Sequence, residues 1–215
     1  MKAMLLAAGL GSRMGELTRK TPKPLLQIGR QSLIEHQLEK IQESGIDNVI
    51  INVSHLGEQI QSHLQDSHSH LKFSVEHKPL ETAGGIIKAL PLLGDTFLVS
   101  NSDIWCDHPL TKPTMGSKRA HLILVPNPEH NHRGDFHFQH GQLHTSKGPK
   151  YTYSGIAWYR AEFFRGLKTG KQALGPLLRK AISKKQVSAE VYTGTWIDVG
   201  TPERLNQVRA MVSSD

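Results

Sequence analysis

The stretch Leu6-Ala7-Ala8-Gly9-Leu10-Gly11-Ser12-Arg13-Met14 has the makings of an anion cradle. Small residues let backbone N–H groups approach a phosphate closely, and Arg13 adds charge. A little further on, Thr21-Pro22-Lys23-Pro24 sets a lysine between two prolines, which limit how far its backbone can wander. Leu80-Glu81-Thr82-Ala83-Gly84-Gly85 opens a predicted helix. With Thr82 as its cap and small residues behind it, backbone N–H groups there would face a ligand. Two acids stand at the ends of predicted strands, in Asn101-Ser102-Asp103 and in Trp196-Ile197-Asp198. Each of these residues alone has a bland explanation: a turn aspartate, a solvated arginine or lysine, an ordinary cap. The glycine loop with Arg13, joined to the Pro-Lys-Pro segment, is what points to phosphate chemistry.

Gly9, Gly11 and Gly15 also mimic a relaxed dinucleotide fingerprint. That chemistry asks for a helix starting at the loop and an acid at the end of the second strand. Thr21-Pro22-Lys23-Pro24 interrupts any long helix, and the second strand runs out in Val53-Ser54-His55 with no acid. Of the 13 histidines, His130, His132, His137, His140 and His144 crowd one polar region, where one or two would meet substrate. The single cysteine, Cys106, reads as a small buried side chain, and Trp105, Trp158 and Trp196 as packing residues with one polar edge.

The elements that must hold these residues alternate in the first half. Ala3 to Ala7 is a buried strand running into the glycines. Ser32-Leu33-Ile34-Glu35 is a capping box, and Ile34, Leu38 and Ile41 follow on one helical face until Gly45 stops it. Strand Asn48–Val53, helix Leu56–Leu64, strand Lys72–Glu76, helix Thr82–Leu90 and strand Thr96–Val99 complete the series. Such alternation implies a mostly parallel sheet with helices on both faces. The second half is richer in strands: His121–Val125, a hairpin over Phe136–Thr145 turning at Gly141, Tyr153–Tyr159, and strand-like residues from Val187 to Asp198. Helices are expected over Ala173–Lys185 and Pro202–Met211. The chain reads as one domain of 215 residues with a small mixed lobe inserted after the parallel sheet.

An apolar fraction of 37% is enough for a core without staples. One cysteine excludes an internal disulfide framework and a cysteine-based zinc site. Net charge is +7, but the basic residues are scattered and lack interleaved aromatics, so nucleic acid is not an expected partner. No apolar run is long enough to span a bilayer. The apolar start Met1–Ala8 is short for a secretory signal and reads as a first strand, which places the protein in the cytoplasm.

Taken together, Ala7-Ala8-Gly9-Leu10-Gly11-Ser12-Arg13-Met14, Leu17-Thr18 and Thr21-Pro22-Lys23-Pro24-Leu25 resemble the signature of the sugar-phosphate nucleotidyltransferases. Leu80–Ile86, Asn101–Trp105, His132–Phe136, Ser154-Gly155-Ile156 and Trp196–Thr201 continue the resemblance, in order, to about Met211. Within that family the chain is most similar to the branch that uridylylates N-acetylmuramate 1-phosphate in cell-wall recycling. The resemblance implies an α/β, three-layer, Rossmann-like fold with a nucleotide-binding half near residues 1–105 and a sugar-binding half near 106–215. It also implies uridylyl transfer from UTP to N-acetylmuramate α-1-phosphate with release of pyrophosphate. The same chemistry on another base, sugar 1-phosphate or phosphoalcohol is the nearest alternative, and a non-catalytic sugar-nucleotide sensor is the alternative of another class. Intact Arg13, Lys23, Asp103 and Asp198 argue against a sensor.

Carried onto this chain, the resemblance makes Asp103 and Asp198 ligands of a Mg²⁺ ion, which commonly takes one or two carboxylates besides phosphate oxygens and waters. Arg13 would steady the β- and γ-phosphates, and Lys23 the α-phosphate. Leu6, Ala8, Gly9, Gly11, Ser12, Leu80, Thr82 and Ala83 would line the nucleotide. Asn101, Gly134, Asp135, Ser154 and Gly155 would meet the sugar phosphate. Arg133 is a candidate partner for the lactyl carboxylate of the acceptor, its alternatives being solvation or pairing with Asp135. Two departures stand out. Gly15-Glu16 replaces a pair such as Arg-Pro and sets an acid near a triphosphate, and Ser102 replaces a glycine, so a left-handed backbone there would be strained. His68-x-His70 resembles the nucleophile motif of a different uridylyltransferase class, but two alternating histidines in a polar loop are expected to be solvated, leaving a direct transfer. The chain has no hexapeptide repeats and is expected to be a monomer.

Overall fold

The protein is described by a computed structural model covering residues 1–65 and 70–213. In chain order its elements begin with β1 (Lys2–Leu6), two 3₁₀ turns (Ser12–Thr18 and Lys23–Leu25), the short pair β2 (Gln27–Ile28) and β3 (Gln31–Ser32), and α1 (Leu33–Glu43). Next come β4 (Asn48–Val53), α2 (Gly57–Gln65), β5 (Leu71–Val75), α3 (Glu81–Ala89), β6 (Thr96–Asn101) and β7 (Ile104–Cys106). The remainder is β8 (Ala120–Val125), β9 (Phe136–Gln139), β10 (Gln142–His144), β11 (Lys150–Arg160), α4 (Leu174–Ser183), β12 (Val187–Val191), β13 (Trp196–Asp198) and α5 (Pro202–Val212).

Strands β5, β4, β1 and β6 lie side by side and parallel. β11 follows antiparallel to β6, and β8 and β12 extend the sheet beyond it. The β9–β10 hairpin hangs from the first residues of β11. Side-chain alternation sorts the apolar residues onto two faces. Met4, Ile50, Phe97 and Val99 pack with α3 and α4, while Ala3, Leu5, Ile51 and Leu98 pack with α1 and α2. The result is the expected three layers. A third cluster, of Met14, Leu26, Ile28, Leu33, Val199, Leu205 and Val208, seats α5 against the early loops. Burying an aliphatic side chain of this size stabilises by about 1.5–3 kcal/mol, so these contacts fix where α5 can stand.

Local chemistry sets the element ends. The Ser32–Glu35 capping box is formed, with the Ser32 N–H donating to the Glu35 carboxylate at 2.7 Å. The β9–β10 turn places His140 and Gly141 at positive φ, the mirror-image turn that suits strand twist. Several expectations shift. Helix α3 starts at Glu81, so Leu80 and not Thr82 occupies the capping position, and no side chain caps it. Ser102 is not among the residues at positive φ, so its backbone is unstrained. Its hydroxyl instead donates to Leu6 O at 2.7 Å and ties the end of β6 to the end of β1. The strand-like stretch 187–198 divides into β12 and β13, which join different sheets. His68 lies outside the described residues. No helix among those described is long and apolar enough to cross a membrane.

One buried polar group ties stability to pH. His121 on β8 is nearly buried, with Nδ1 2.9 Å from Ser188 Oγ and Nε2 3.7 Å from a Glu190 carboxylate oxygen. Burial pushes its pKa below the ordinary 6.5; Glu190 opposes that shift and neighbouring His108 adds to it. The unfolded chain therefore takes up this proton first. The stability present above pH 6.5 is lost as pH falls through the folded value. We expect thermal melts to show a downward slope of Tm between pH 7 and 5 that is shallower in His121→Phe, whereas equal slopes would exclude His121 as a source.

Candidate active site

The carboxyl ends of β1, β4 and β6 open onto a cleft of about 440 Å³. In open α/β sheets ligands gather at such ends. Its walls include Leu6, Ala8, Gly9, Gly11, Ser12 and Arg13 from the glycine loop, Lys23 from the Pro-Lys-Pro turn, Leu80 and Thr82 from the start of α3, and Asn101 and Asp103 from the end of β6. These residues come from four separate stretches of chain.

Lys23 is only 7% exposed, and its ammonium lies 2.5 Å from Asp103 Oδ2. A buried ammonium needs such a partner, because removing it from water unpaired is costly. Proline on each side and the bonds from Leu25 N to Pro22 O (2.8 Å) and Leu26 N to Lys23 O (3.1 Å) hold the lysine in a tight turn. Arg13 is exposed, and its side chain makes no ion pair among the described residues. Glu16, the acid in the departing Gly15-Glu16 pair, is absent from the cleft lining and pairs at 3.1 Å with Arg19 on the surface.

Asp198 reaches the site by strand pairing. β13 runs antiparallel to β7 with Asp198 opposite Ile104, and Val199 N–H donates to Asp103 O at 2.8 Å. The two acids are therefore brought together although nearly a hundred residues separate them in sequence. Asp198 is not itself a lining residue of the cleft; its neighbour Gly200 is. Two side chains crowd Asp198 Oδ1, the His130 imidazole with Nε2 at 2.8 Å and the Arg204 guanidinium with Nη1 at 3.1 Å. These are ion-pair contacts by distance, not aligned hydrogen bonds. Asp198 Oδ1 and Arg204 Nε both remain buried without an aligned partner.

Of the expected sugar contacts, Asn101 lines this cleft and Gly134, Asp135, Ser154 and Gly155 do not. Gly155, at φ +87°, sits in the irregularity of β11 between Tyr153 and Ala157. A β-carbon there would stand 2.5 Å from Asn101 Nδ2, so Gly155 permits the close approach of β11 to the cleft residue Asn101. Ser154 O accepts from Trp196 Nε1 at 2.9 Å. Gly134 and Asp135 belong to a latch: Asp135 Oδ2 accepts from Tyr153 N at 2.8 Å, and Asn131 Nδ2 donates to Thr152 Oγ1 at 3.1 Å. The latch carries His130 across to Asp198. Arg133 is exposed and does not pair with Asp135.

The α3 amides also differ from expectation. Ala83 and Gly84 N–H both donate to Gln172 O, at 3.0 and 3.1 Å, so these two donors are occupied by a loop carbonyl instead of facing the cleft. Gln172 N–H in turn donates to Leu80 O at 2.9 Å.

Sequence reasoning missed Asn52, Glu76 and Arg204, and named His130 only as one of five clustered histidines. Asn52 and Glu76 line the cleft, 4% and 3% exposed. Asn52 accepts from Ala7 N at 2.9 Å and donates to Glu76 Oε1 at 2.7 Å, while Leu80 N donates to Glu76 Oε2 at 3.1 Å. This network ties the glycine loop to the start of α3. The signal was present: a polar residue inside the apolar run Val49–Val53, and an acid at the end of the next strand. For Arg204 and His130 nothing in the sequence separates them from surface cations; only the fold brings them to Asp198.

Comparisons with known proteins bear on the family and the fold. The family model described as Nucleotidyl transferase matches residues 2–134. An N-acetylmuramate alpha-1-phosphate uridylyltransferase of Neisseria meningitidis serogroup B is 40% identical, covering 100% of this chain and 99% of that protein. A mannose-1-phosphate guanyltransferase of Aspergillus fumigatus is 26% identical over 94% of this chain, which spans only 62% of that longer relative. A Bacillus anthracis crystal structure assigned as a glucose-1-phosphate thymidylyltransferase superposes with a TM-score of 0.87 at 21% identity, covering 100% of this chain and 96% of that one, and supports the fold alone. With its glycine loop, Lys23 and Asp103 gathered in one cleft, the chain belongs to the nucleotidyl transferase family.

Proposed function

We propose that the protein transfers a uridylyl group from UTP to N-acetylmuramate α-1-phosphate and releases pyrophosphate. The choice of base and acceptor is carried by the 40% identity, over essentially full length, to the Neisseria uridylyltransferase. The reaction class is supported by the cleft itself. An acceptor phosphate oxygen forms a bond to the α-phosphorus while the bond to the bridging β-oxygen breaks. The acceptor is already ionised, so no residue has to remove a proton. The task is to bring two anions together and align them.

The residues divide that work. Leu6, Ala8, Gly9, Gly11 and Ser12 form the backbone cradle for the triphosphate, with Leu80, Thr82 and Ala83 on the nucleoside side. Arg13 balances the β- and γ-phosphates. Lys23, buried and fixed by its turn, directs charge at the α-phosphate. Asn101, with Gly134, Asp135, Ser154 and Gly155 from the half spanning residues 106–215, shapes the acceptor side. The whole acts as one cytoplasmic, monomeric domain on small-molecule substrates, without nucleic acid or membrane.

Asp103 and Asp198 suit a divalent cation. Two carboxylates are a hard oxygen donor set, and Asp198 Oδ1 is a buried anion lacking an aligned hydrogen bond. Bound there, Mg²⁺ would supply charge neutralisation at the phosphates.

A pyrophosphate-release assay over the four nucleoside triphosphates and several sugar 1-phosphates tests the reading. Highest kcat/KM for UTP with N-acetylmuramate 1-phosphate is expected; a preference for mannose or glucose 1-phosphate would replace the acceptor. Asp103→Asn and Asp198→Asn should each lower turnover by several orders of magnitude with an unchanged circular dichroism spectrum, since a metal contributes several kcal/mol to charge stabilisation in the transition state. Near wild-type rates for both at saturating Mg²⁺ would remove them from the site. Arg133→Ala should raise KM for N-acetylmuramate 1-phosphate about ten- to a hundredfold, the worth of one charge-assisted contact, and far more than it raises KM for N-acetylglucosamine 1-phosphate. Equal effects on the two acceptors would take Arg133 out of the lactyl subsite.

A further inference from the structure

Around Asp198 the charges do not balance. Arg204 pairs with it at 3.1 Å. Arg13 approaches the same point. A β-carbon built on Gly200 would stand 3.1 Å from Asp198 Oδ2 and 3.3 Å from Arg13 Nη2, and would collide with Arg204 Nη2. Two guanidinium groups, which stay charged at any physiological pH, thus converge over one glycine with a single carboxylate between them. Arg204 is partly buried, its side chain 17% exposed, and its Nε has no aligned hydrogen-bond partner. Like charges held this close in a partly dry site repel unless an anion joins them. Gly200 and Arg13 both line the cleft, so such an anion would enter from the nucleotide side.

The arrangement is built, not incidental. α5 is anchored by Leu205 and Val208, both 0% exposed, in the cluster that also holds Met14, the residue after Arg13. Thr201 caps the helix, its hydroxyl accepting from Arg204 N at 3.4 Å. The backbone beneath Arg204 is therefore fixed relative to the glycine loop.

We propose that Arg204 and Arg13 form a two-guanidinium clamp for a phosphate group of the substrates, Arg204 being a phosphate-binding residue and not only the counter-ion of Asp198. The inference rests on the nucleotidyl-transfer reading above. Planar guanidinium groups grip phosphate oxygens through paired N–H donors, a geometry a single lysine does not reproduce. The phosphate has two possible sources, the departing pyrophosphate and the acceptor's own phosphate.

The test uses the full chain and two variants, Arg204→Met, which keeps length without charge, and Arg204→Lys, which keeps charge without the fork. Calorimetric titration with inorganic pyrophosphate in the presence of Mg²⁺ reads the leaving-group side without turnover. KM for the sugar 1-phosphate reads the acceptor side. At least one of the two should weaken by about ten- to a hundredfold in Arg204→Met and by less in Arg204→Lys. A loss confined to pyrophosphate assigns the clamp to the donor, and one confined to KM assigns it to the acceptor. Gly200→Ala should act in the same direction, because its β-carbon displaces the guanidinium. Wild-type values on both sides in both arginine variants, with or without a lowered Tm, would overturn the clamp and leave Arg204 a structural counter-ion. A wild-type protein that binds pyrophosphate but turns over no sugar 1-phosphate would instead defeat the proposed reaction, and the binding titration would still decide the clamp.

Discussion

The ion pair between buried Lys23 and Asp103 is the contact on which the site's construction depends. It joins a loop that follows β1 to the end of β6, and both residues line the cleft. Lys23 is buried and needs an oxygen partner there, whereas Asp103, 34% exposed, keeps contact with solvent. The prolines flanking Lys23 reduce the number of conformations the unfolded segment surrenders, which makes the tight turn less costly to form. Ser102, one residue before Asp103, reinforces the junction by bonding Leu6 O. The geometry of Lys23 is thus fixed by the same contacts that hold two neighbouring strands in register.

The second half of the chain is attached through a few exacting points. β13 brings Asp198 beside Asp103 by pairing with β7, and the irregularity in β11 lets Gly155 approach Asn101. The loop latched to β11 through Asp135 and Asn131 then delivers His130. Three different mechanisms (strand pairing, a bulge and a side-chain latch) converge on a site whose first half is organised by one continuous parallel sheet.

The first half of this architecture was legible in the sequence because its signals are local. The capping box at Ser32, the apolar strand at Asn48–Val53 and the glycine loop after β1 each declare themselves within ten residues or so. The position of Ser102 was read through the glycine it replaces, and there the analogy misled: the backbone needs no left-handed conformation, and the hydroxyl has its own bond. The start of α3 was misread for a different reason. Thr82 is a good capping residue by type, but the helix begins one residue earlier and takes its cap from Gln172, a residue distant in sequence. Arg204 and His130 were illegible for the same cause. An arginine in the first turn of a helix and a histidine among many look like surface residues until the sheet is assembled.

The bond from Ala83 and Gly84 to the carbonyl of Gln172 has one more consequence. It is made entirely by main-chain atoms, and its return bond, Gln172 N to Leu80 O, is too. Replacing the Gln172 side chain leaves all three bonds available, so this brace is silent to conventional alanine scanning. It speaks only when the backbone itself is altered. A β-carbon on Gly84 would strike Gly170 O, and proline at position 172 would delete the N–H. A segment bordering the nucleotide cleft is therefore free to drift in sequence while its path through space is held, and tolerance to substitution there measures nothing about how much the segment supports.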